Sequence, residues 1–443
     1  MKKPAKPPRL TDLLQHISPE RLLELVSSPL PRTPGYLHWD QLRRRPVQEG
    51  LSHEEWWLKL KFGRQQIQRE LPLKDSLGKP FTYCLPDPIL EKLPAIDAQA
   101  RGLIGINEQV VNPSLRDRYI ISSLIEEAIT SSQLEGAATT RKDAVDMLRS
   151  GRAPKDKSEQ MILNNFLAMK EILALKDQPI SPEIICTLHR IVTEKTLEQE
   201  TSAGQIQQPE DTRVAVWDES DDQILHRPPS AEELPSRMRA MCDFANGAQD
   251  TQQYLHPVIR AIILHFWLAY DHPFEDGNGR TARALFYWTM LREGYWLFEF
   301  ISISSLLKEA PSKYARSFLY TESDDNDLTY FIIFQLDIIL RAITALENYI
   351  EKKTQEQSQI DIYLKNSLLL NHRQKALLAN ALKKPTTVYS IESHQRSHKI
   401  AYATSRADLL KLHELQLLDQ FKIGKALRFR PAKNLEQKLK SID

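Results

Sequence analysis

One stretch of the chain holds most of the chemistry it can offer: His272-Pro-Phe274-Glu-Asp276-Gly277-Asn278-Gly279-Arg280-Thr-Ala-Arg283. His272 can take a proton near neutral pH. Asp276 is a hard oxygen ligand of the kind that holds Mg²⁺ between a protein and phosphates. Gly277, Asn278 and Gly279 read as the opening of a helix. Glycine there lets the backbone approach an anion, and the first helical N–H groups have no partner of their own. Arg280 and Arg283 are three apart, share a helix face and offer forked donors to phosphate oxygens. A base, a metal ligand, an anion cradle and two arginines together read as phosphoryl or nucleotidyl transfer.

Two apolar runs must position these groups, Ala261 to Tyr270 before the loop and Ala284 to Met290 after it. Both read as buried helices. The stretch between them resembles the signature of the Fic (AMP-transferase) family, His-x-Phe-x-Asp/Glu-Gly-Asn-Gly-Arg-x-x-Arg, at every fixed position. The resemblance implies a role for each residue. His272 would be the general base that deprotonates a Tyr, Ser or Thr hydroxyl of the target, and Phe274 would anchor the loop in the core. Asp276 would bind Mg²⁺ bridging the α- and β-phosphates of ATP. Gly277, Asn278 and Gly279 would form the anion hole, with Arg280 on the triphosphate and Arg283 on the γ-phosphate. The implied reaction is in-line attack on the α-phosphorus, with pyrophosphate leaving. The related Doc-type pattern has Lys in place of the second Gly and transfers phosphate, so Gly279 argues against it. Phosphocholine transfer uses the same signature. Asp271 departs from the family, where the residue before the His is usually aliphatic. Its carboxylate could bond locally, raise the basicity of His272 or face solvent.

Residues 114–136 have a helical period and end at Gly136, a C-cap candidate. Ser131 and Glu135 are four apart and project from one face. Ser131-x-x-x-Glu135-Gly136 resembles the inhibitory motif that Fic proteins carry before the signature. The resemblance implies that Glu135 pairs with Arg283, supported by Ser131, and takes the place of the γ-phosphate. It also allows a second use, in which the same Glu orients a water that removes AMP from the target.

Thr212 to Trp217 alternates, Asp218 to Asp222 is a polar turn, and Gln223 to His226 follows, which is a hairpin signal in a helical chain. In the resembling family a flap sits here and pairs its edge with the target backbone, so Val214, Ala215 and Val216 are expected to face the target. Ser230 to Asn246 reads as a helix. His256 and His265 match residues common in the family's next helix, and His265 is expected to be a core or supporting histidine.

The remainder is scaffold and appendage. With 443 residues, 59 Lys and Arg against 58 Asp and Glu, and a net charge of +1, the chain has no global pull toward nucleic acid or membrane. Cys84, Cys186 and Cys242 lie far apart and read as reduced thiols of a cytoplasmic protein. No apolar run is read as a membrane span, and the basic, Pro-rich start is read as a flexible tail. Leu10 to Val26 reads as one helix, Ser52 with Glu55 as a capping box, Trp56 and Trp57 as core aromatics, and Pro86 to Gly105 as a helix pair broken near Pro94. The C-terminal stretch from Lys365 carries sixteen Lys and Arg against six Asp and Glu. It resembles the winged-helix domain appended to many Fic proteins, with Thr404 to His413 as recognition helix bearing Arg406 and Lys411.

These readings give a mostly α fold: a Fic-type helical bundle with a small β-hairpin flap, an N-terminal helical module and a C-terminal winged helix. The expected domains are 1–112, 113–355 with the inhibitory helix at 114–136, and 360–443. The expected function is a self-restrained protein AMP transferase using ATP and Mg²⁺. Its partners would be a protein bearing a hydroxyl, the chain itself, a second copy in a homodimer, or DNA at the winged helix, with no membrane. The alternatives are a de-AMPylase using Glu135, or a DNA-binding regulator whose Fic core senses nucleotide.

Overall fold

The computed structural model describes residues 3–29, 35–47, 50–102, 113–218, 223–248, 254–383, 387–423 and 426–439. Its main core forms where the sequence is most apolar. The leading helix Pro257–Asp271 and the signature helix Asn278–Arg292 are buried along almost their whole length. A helix that is apolar all round belongs in a core. Helices Lys157–Leu175, Pro182–Thr193 and Leu234–Ala245 pack around the pair.

The helix Pro113–Leu134 packs on Lys157–Leu175 and on Ile303–Glu309. It stops as expected. Gly136 has φ +90°, its N–H donates to the Gln133 carbonyl, and the Ala137 N–H donates to the Ser132 carbonyl. This two-bond pattern satisfies the last orphan carbonyls and fixes where Glu135 emerges. Glu127, buried at 1% exposure, fastens the middle of the helix. Its carboxylate accepts from Tyr287 Oη at 2.9 Å, from Ser302 Oγ at 2.8 Å, from the Ser304 N–H at 3.1 Å and from Ser304 Oγ. Nothing in the sequence period marks this acid as different from Glu126 beside it.

The N-terminal residues hold the largest departures from expectation. Pro19 splits the first helix into Leu10–Gln15 and Pro19–Ser27, with Ser18 capping the second. The Ser52–Glu55 capping box is present, and Trp56 and Trp57 are buried. The Asp87–Ala100 helix continues through Pro94 where a break was expected. An unforeseen antiparallel hairpin, Arg69–Lys74 with Pro80–Tyr83, turns on Gly78. In its turn Asp75 accepts from the N–H groups of Leu77 and Lys79. The basic start is held in place: the Ala5 N–H donates to Asp40 and Lys3 Nζ to the Ile224 carbonyl.

The flap is shorter than the alternation suggested. Val216–Asp218 pairs with Gln223–His226, with Trp217 opposite Ile224, while Val214 and Ala215 precede the strand in irregular backbone. Its expected turn, 219–222, lies outside the described residues, as do residues 103–112. Ala231–Glu233 is a short 3₁₀ turn ahead of Leu234–Ala245.

The Thr329–Asn366 helix corrects the membrane reading. Its Thr329–Lys352 portion has mean hydropathy 1.6, enough to cross a bilayer by length and composition. More than half of that window, 56%, is buried in the protein, and Phe331, Ile332, Leu336 and Ile339 belong to the main core. It is a core helix, and its continuation holds the polar run 352–359, which suits a linker or the exposed end of a long helix and here is the latter. Contacts divide the chain into two units, Met1–Leu346 and Glu347–Asp443. The second has its own apolar core around Leu378, Leu409, Leu412 and Phe429. It contains helices His372–Lys383, Ile391–His398 and Tyr402–Glu414. A three-stranded antiparallel sheet places Tyr389–Ser390 beside Ala426–Pro431 and that strand beside Leu418–Ile423. Residues 424–425, between the last two strands, lie outside the described residues. Arg406 is exposed, whereas Lys411 Nζ donates to the Leu369 carbonyl at 2.7 Å.

Glu127→Ala removes one acceptor and strands several buried donors. It should destabilise the first unit by about 3–5 kcal/mol, read by urea denaturation. A loss below about 1 kcal/mol would show that the carboxylate does not fasten this helix.

Candidate functional site

The loop 272–277 owes its shape to residues that bond one another. His272 ends the leading helix in the left-handed region, φ 46° and ψ 54°, while its N–H still donates to the Leu268 carbonyl at 2.9 Å. A non-glycine residue there is strained and must be held. Phe274 is fully buried and stacks on His189 with ring centroids 3.7 Å apart. His189 Nδ1 accepts from the Gly204 N–H at 2.9 Å, so Nε2 carries the proton and donates to the Asp276 carbonyl at 2.8 Å. Asn278 closes the loop from its other end. Its Oδ1 accepts from the Phe274 N–H at 2.9 Å and its Nδ2 donates to the Phe274 carbonyl at 2.8 Å. This corrects one expectation: the Asn278 side chain braces the loop, and only its backbone is left for an anion. Gly277, at φ +81°, sits where a Cβ would lie 2.6 Å from Thr193.

The expected groups converge. His272, Glu135, Gly279, Arg283, Val216 and Tyr314 line one cavity of about 200 Å³. Val214 lies on another, of about 480 Å³, with Glu275, and Ala215 lines neither of the two. Burial pulls the His272 imidazole down to about 4, against the opposing Ala269 carbonyl 3.3 Å from Nδ1. A carbonyl only accepts, so Nδ1 bears the proton and Nε2 is the free lone pair. Arg283, 2% exposed, donates from Nε to Ser131 Oγ at 2.8 Å. Its Nη2 donates to the Ser131 carbonyl at 3.0 Å and to Glu135 Oε1 at 2.8 Å. The Glu135 carboxylate rests directly over Gly279, where any Cβ would collide with it. An acid therefore already occupies the N-terminus of the signature helix. Gly136 serves the helix end.

Arg280 is fully buried. Its Nη1 donates to the Val192 carbonyl at 2.6 Å and its Nη2 lies 3.5 Å from Asp276. Nε and Nη2 have no hydrogen-bond partner among the described residues. Buried donors without acceptors are costly, so an anion bound here would relieve them. Asp276 leaves its side chain 46% exposed. A lone, half-exposed carboxylate suits Mg²⁺, which takes one or two carboxylates and fills its shell with phosphate and water. No cluster of three candidate ligands occurs among the described residues.

Asp271 neither reaches the His272 ring nor faces solvent. It is buried, accepting from Arg237 Nε at 2.8 Å and from Trp267 Nε1 at 2.9 Å. His265 is buried against Tyr314 Oη at 2.7 Å, a supporting position as expected. The sequence reading passed over His189, Arg213, His226 and Arg237, which carry no motif. His226 donates from both ring nitrogens, to Glu322 at 2.8 Å and to the Tyr270 carbonyl at 2.7 Å. Burial opposes its charge, yet Glu322 and that carbonyl raise its pKa.

Residues 179–290 match the model of the Fic/DOC family. "Protein adenylyltransferase Fic" of Nematostella vectensis is 27% identical over 229 residues, covering 52% of this chain and 48% of the relative. The protein of the same description from Drosophila willistoni is 31% identical over 209 residues, covering 46% of this chain and 39% of the relative. The chain thus spans about half or less of the length of these curated relatives. The crystal structure of a Fic family protein from Desulfovibrio desulfuricans G20 shares the fold. It has a TM-score of 0.53 at 17% identity and covers 79% of this chain and 97% of that one.

Buried histidines give this fold a pH signature. His38, His189 and His272 are each pulled to about 4 and His265 to about 3, all by burial first. Unfolded, each titrates near 6.5. Between about pH 6.5 and 4 the unfolded chain binds more protons, so stability falls as pH falls through that window. His226, with its pKa raised, acts oppositely and is outnumbered. The melting temperature should be lower at pH 5 than at pH 7, and an equal or higher value at pH 5 would contradict the neutral assignments.

Proposed function

We propose that this chain transfers AMP from ATP to a hydroxyl of a protein target, releasing pyrophosphate, and that Glu135 restrains it. One observation carries the reading. An unprotonated His272 nitrogen and a helix N-terminus share a cavity with an arginine whose outer donor is held by a carboxylate.

His272 Nε2 would take the proton of the entering hydroxyl as its oxygen attacks the α-phosphorus. Gly277, Gly279 and the first N–H groups of the signature helix would receive phosphate oxygens. Arg280 has two buried donors to offer the same triphosphate. Asp276 would hold Mg²⁺, which neutralises phosphate charge and orients the leaving group. Arg283 would bind the γ-phosphate only when Glu135 gives it up, since both anions compete for one guanidinium. The flap strands Val216–Asp218 and Gln223–His226 support a protein target, presenting backbone to an extended segment. The second use of Glu135, orienting water to remove AMP, would draw on the same contact.

For the C-terminal unit, the order of helices and sheet supports a winged-helix reading. Titrating the full chain with duplex DNA at two salt concentrations decides its partner. Binding that weakens with salt assigns DNA, and no salt-dependent binding counts against it.

Incubation with α-labelled ATP tests the activity. Wild type should label weakly and Glu135→Gly about 10²-fold more strongly, while the Glu135→Gly, His272→Ala double variant should not label. Equal labelling of the double variant and Glu135→Gly would overturn the mechanism.

A further inference from the structure

His272 is held in a strained conformation, and the groups that hold it are two arginines from distant parts of the chain. Arg213, ahead of the flap, donates from Nη2 to the Asp271 carbonyl at 2.7 Å and from Nη1 to the His272 carbonyl at 3.1 Å. One guanidinium therefore grips two successive carbonyls at the residue where the backbone turns left-handed. The rest of the fork is tied to the flap base, with Nε donating to the Pro229 carbonyl at 2.9 Å and Nη1 also to Gln207 Oε1. Gln207 is itself bound to the loop, since its N–H donates to the Pro273 carbonyl at 2.9 Å.

Arg237 approaches from the other side. It bonds the Asp271 carboxylate, lies 3.2 Å from Glu233, and donates to the Lys74 carbonyl of the N-terminal hairpin. Trp267, one helical turn before Asp271, supplies that carboxylate's second bond. A planar fork with five fixed donors suits two acceptors at once, which a lysine ammonium does not match.

We propose that Arg213 is a positioning residue for His272, and that the Asp271–Arg237 pair is the fixed post against which it works. Arg213 does not touch the reacting atoms. It sets the direction of the imidazole by holding the backbone on both sides of the turn. Because the same side chain is bonded to the flap base, the position of the base and the position of the target strand are set together. The Asp271 carboxylate accepts, among the described residues, from Arg237 and Trp267, so the post is built from this chain's own residues.

The inference rests on the AMP-transfer reading for its kinetic arm and on geometry alone for its second arm. In the Glu135→Gly background, Arg213→Met should lower kcat about 10²-fold with KM for ATP within about twofold. Arg213→Lys, which can serve one carbonyl, should fall between the two. Asp271→Leu should also lower kcat, and by less. Hydrogen exchange provides the second arm: in Arg213→Met the amides of residues 270–276 should exchange faster, with the melting temperature within about 2 °C. Unchanged exchange in this segment would overturn the proposal whatever the activity. So would a kcat within about twofold of the parent, or a fall in activity matched by a collapse in melting temperature. If Glu135→Gly and its His272→Ala derivative label alike, the AMP-transfer reading fails and the exchange arm still decides the role of Arg213.

Discussion

A guanidinium removed from water must find acceptors, and Arg283 is 2% exposed. The signature helix cannot supply those acceptors, because its own carbonyls are used in helical bonds. They come from Ser131 and Glu135 on a helix about 150 residues earlier in the chain. This one contact requires the Pro113–Leu134 helix to stop at a fixed height, which Gly136 ensures, and to lie at a fixed rotation, which Glu127 ensures. The interaction that satisfies a buried charge is therefore also the one that places a carboxylate over Gly279. The fold satisfies a buried charge, and in doing so fills the place where an anion would bind.

The same economy governs the loop. His272 adopts a backbone conformation that its side chain disfavours, and the cost is met by bonds from Asn278, His189, Arg213 and Gln207 to the residues around it. Each of these bonds ends on a main-chain atom. The loop's shape thus depends little on the identity of its own variable positions and much on residues that lie elsewhere. Gly277 and Gly279 are fixed for different reasons, one by its left-handed φ and the nearness of Thr193, the other by a carboxylate pressed against its Cα.

This division explains what could be read from the sequence. The signature and the Ser131–Glu135 spacing were legible because they are local: fixed residue types at fixed separations on one helix or loop. The two core helices were legible because they are apolar all round. His189 and Arg213 were not, because each acts through long-range bonds that leave no period or motif. Glu127 was hidden for the same reason, looking like any helix acid until Tyr287, Ser302 and Ser304 close on it. Asp271 was visible as an oddity, and only the approach of Arg237 and Trp267 gave it a role. The hairpin at Arg69–Lys74 was missed because Pro and Lys interrupt its alternation. The long Thr329–Asn366 helix was legible only as one of two alternatives because its polar end fits a linker as well as a helix end.

Glu135 also stands just past the last turn of its helix, at the negative end of the helix dipole. A carboxylate is an unfavourable guest there, by about 0.3–1 kcal/mol at an exposed helix end. Its own helix pushes it away, and the bond to Arg283 opposes that push. When a competing anion claims the guanidinium, nothing in the helix calls the carboxylate back. The bond to Arg283 thus holds Glu135 against the electrostatics of its own helix end.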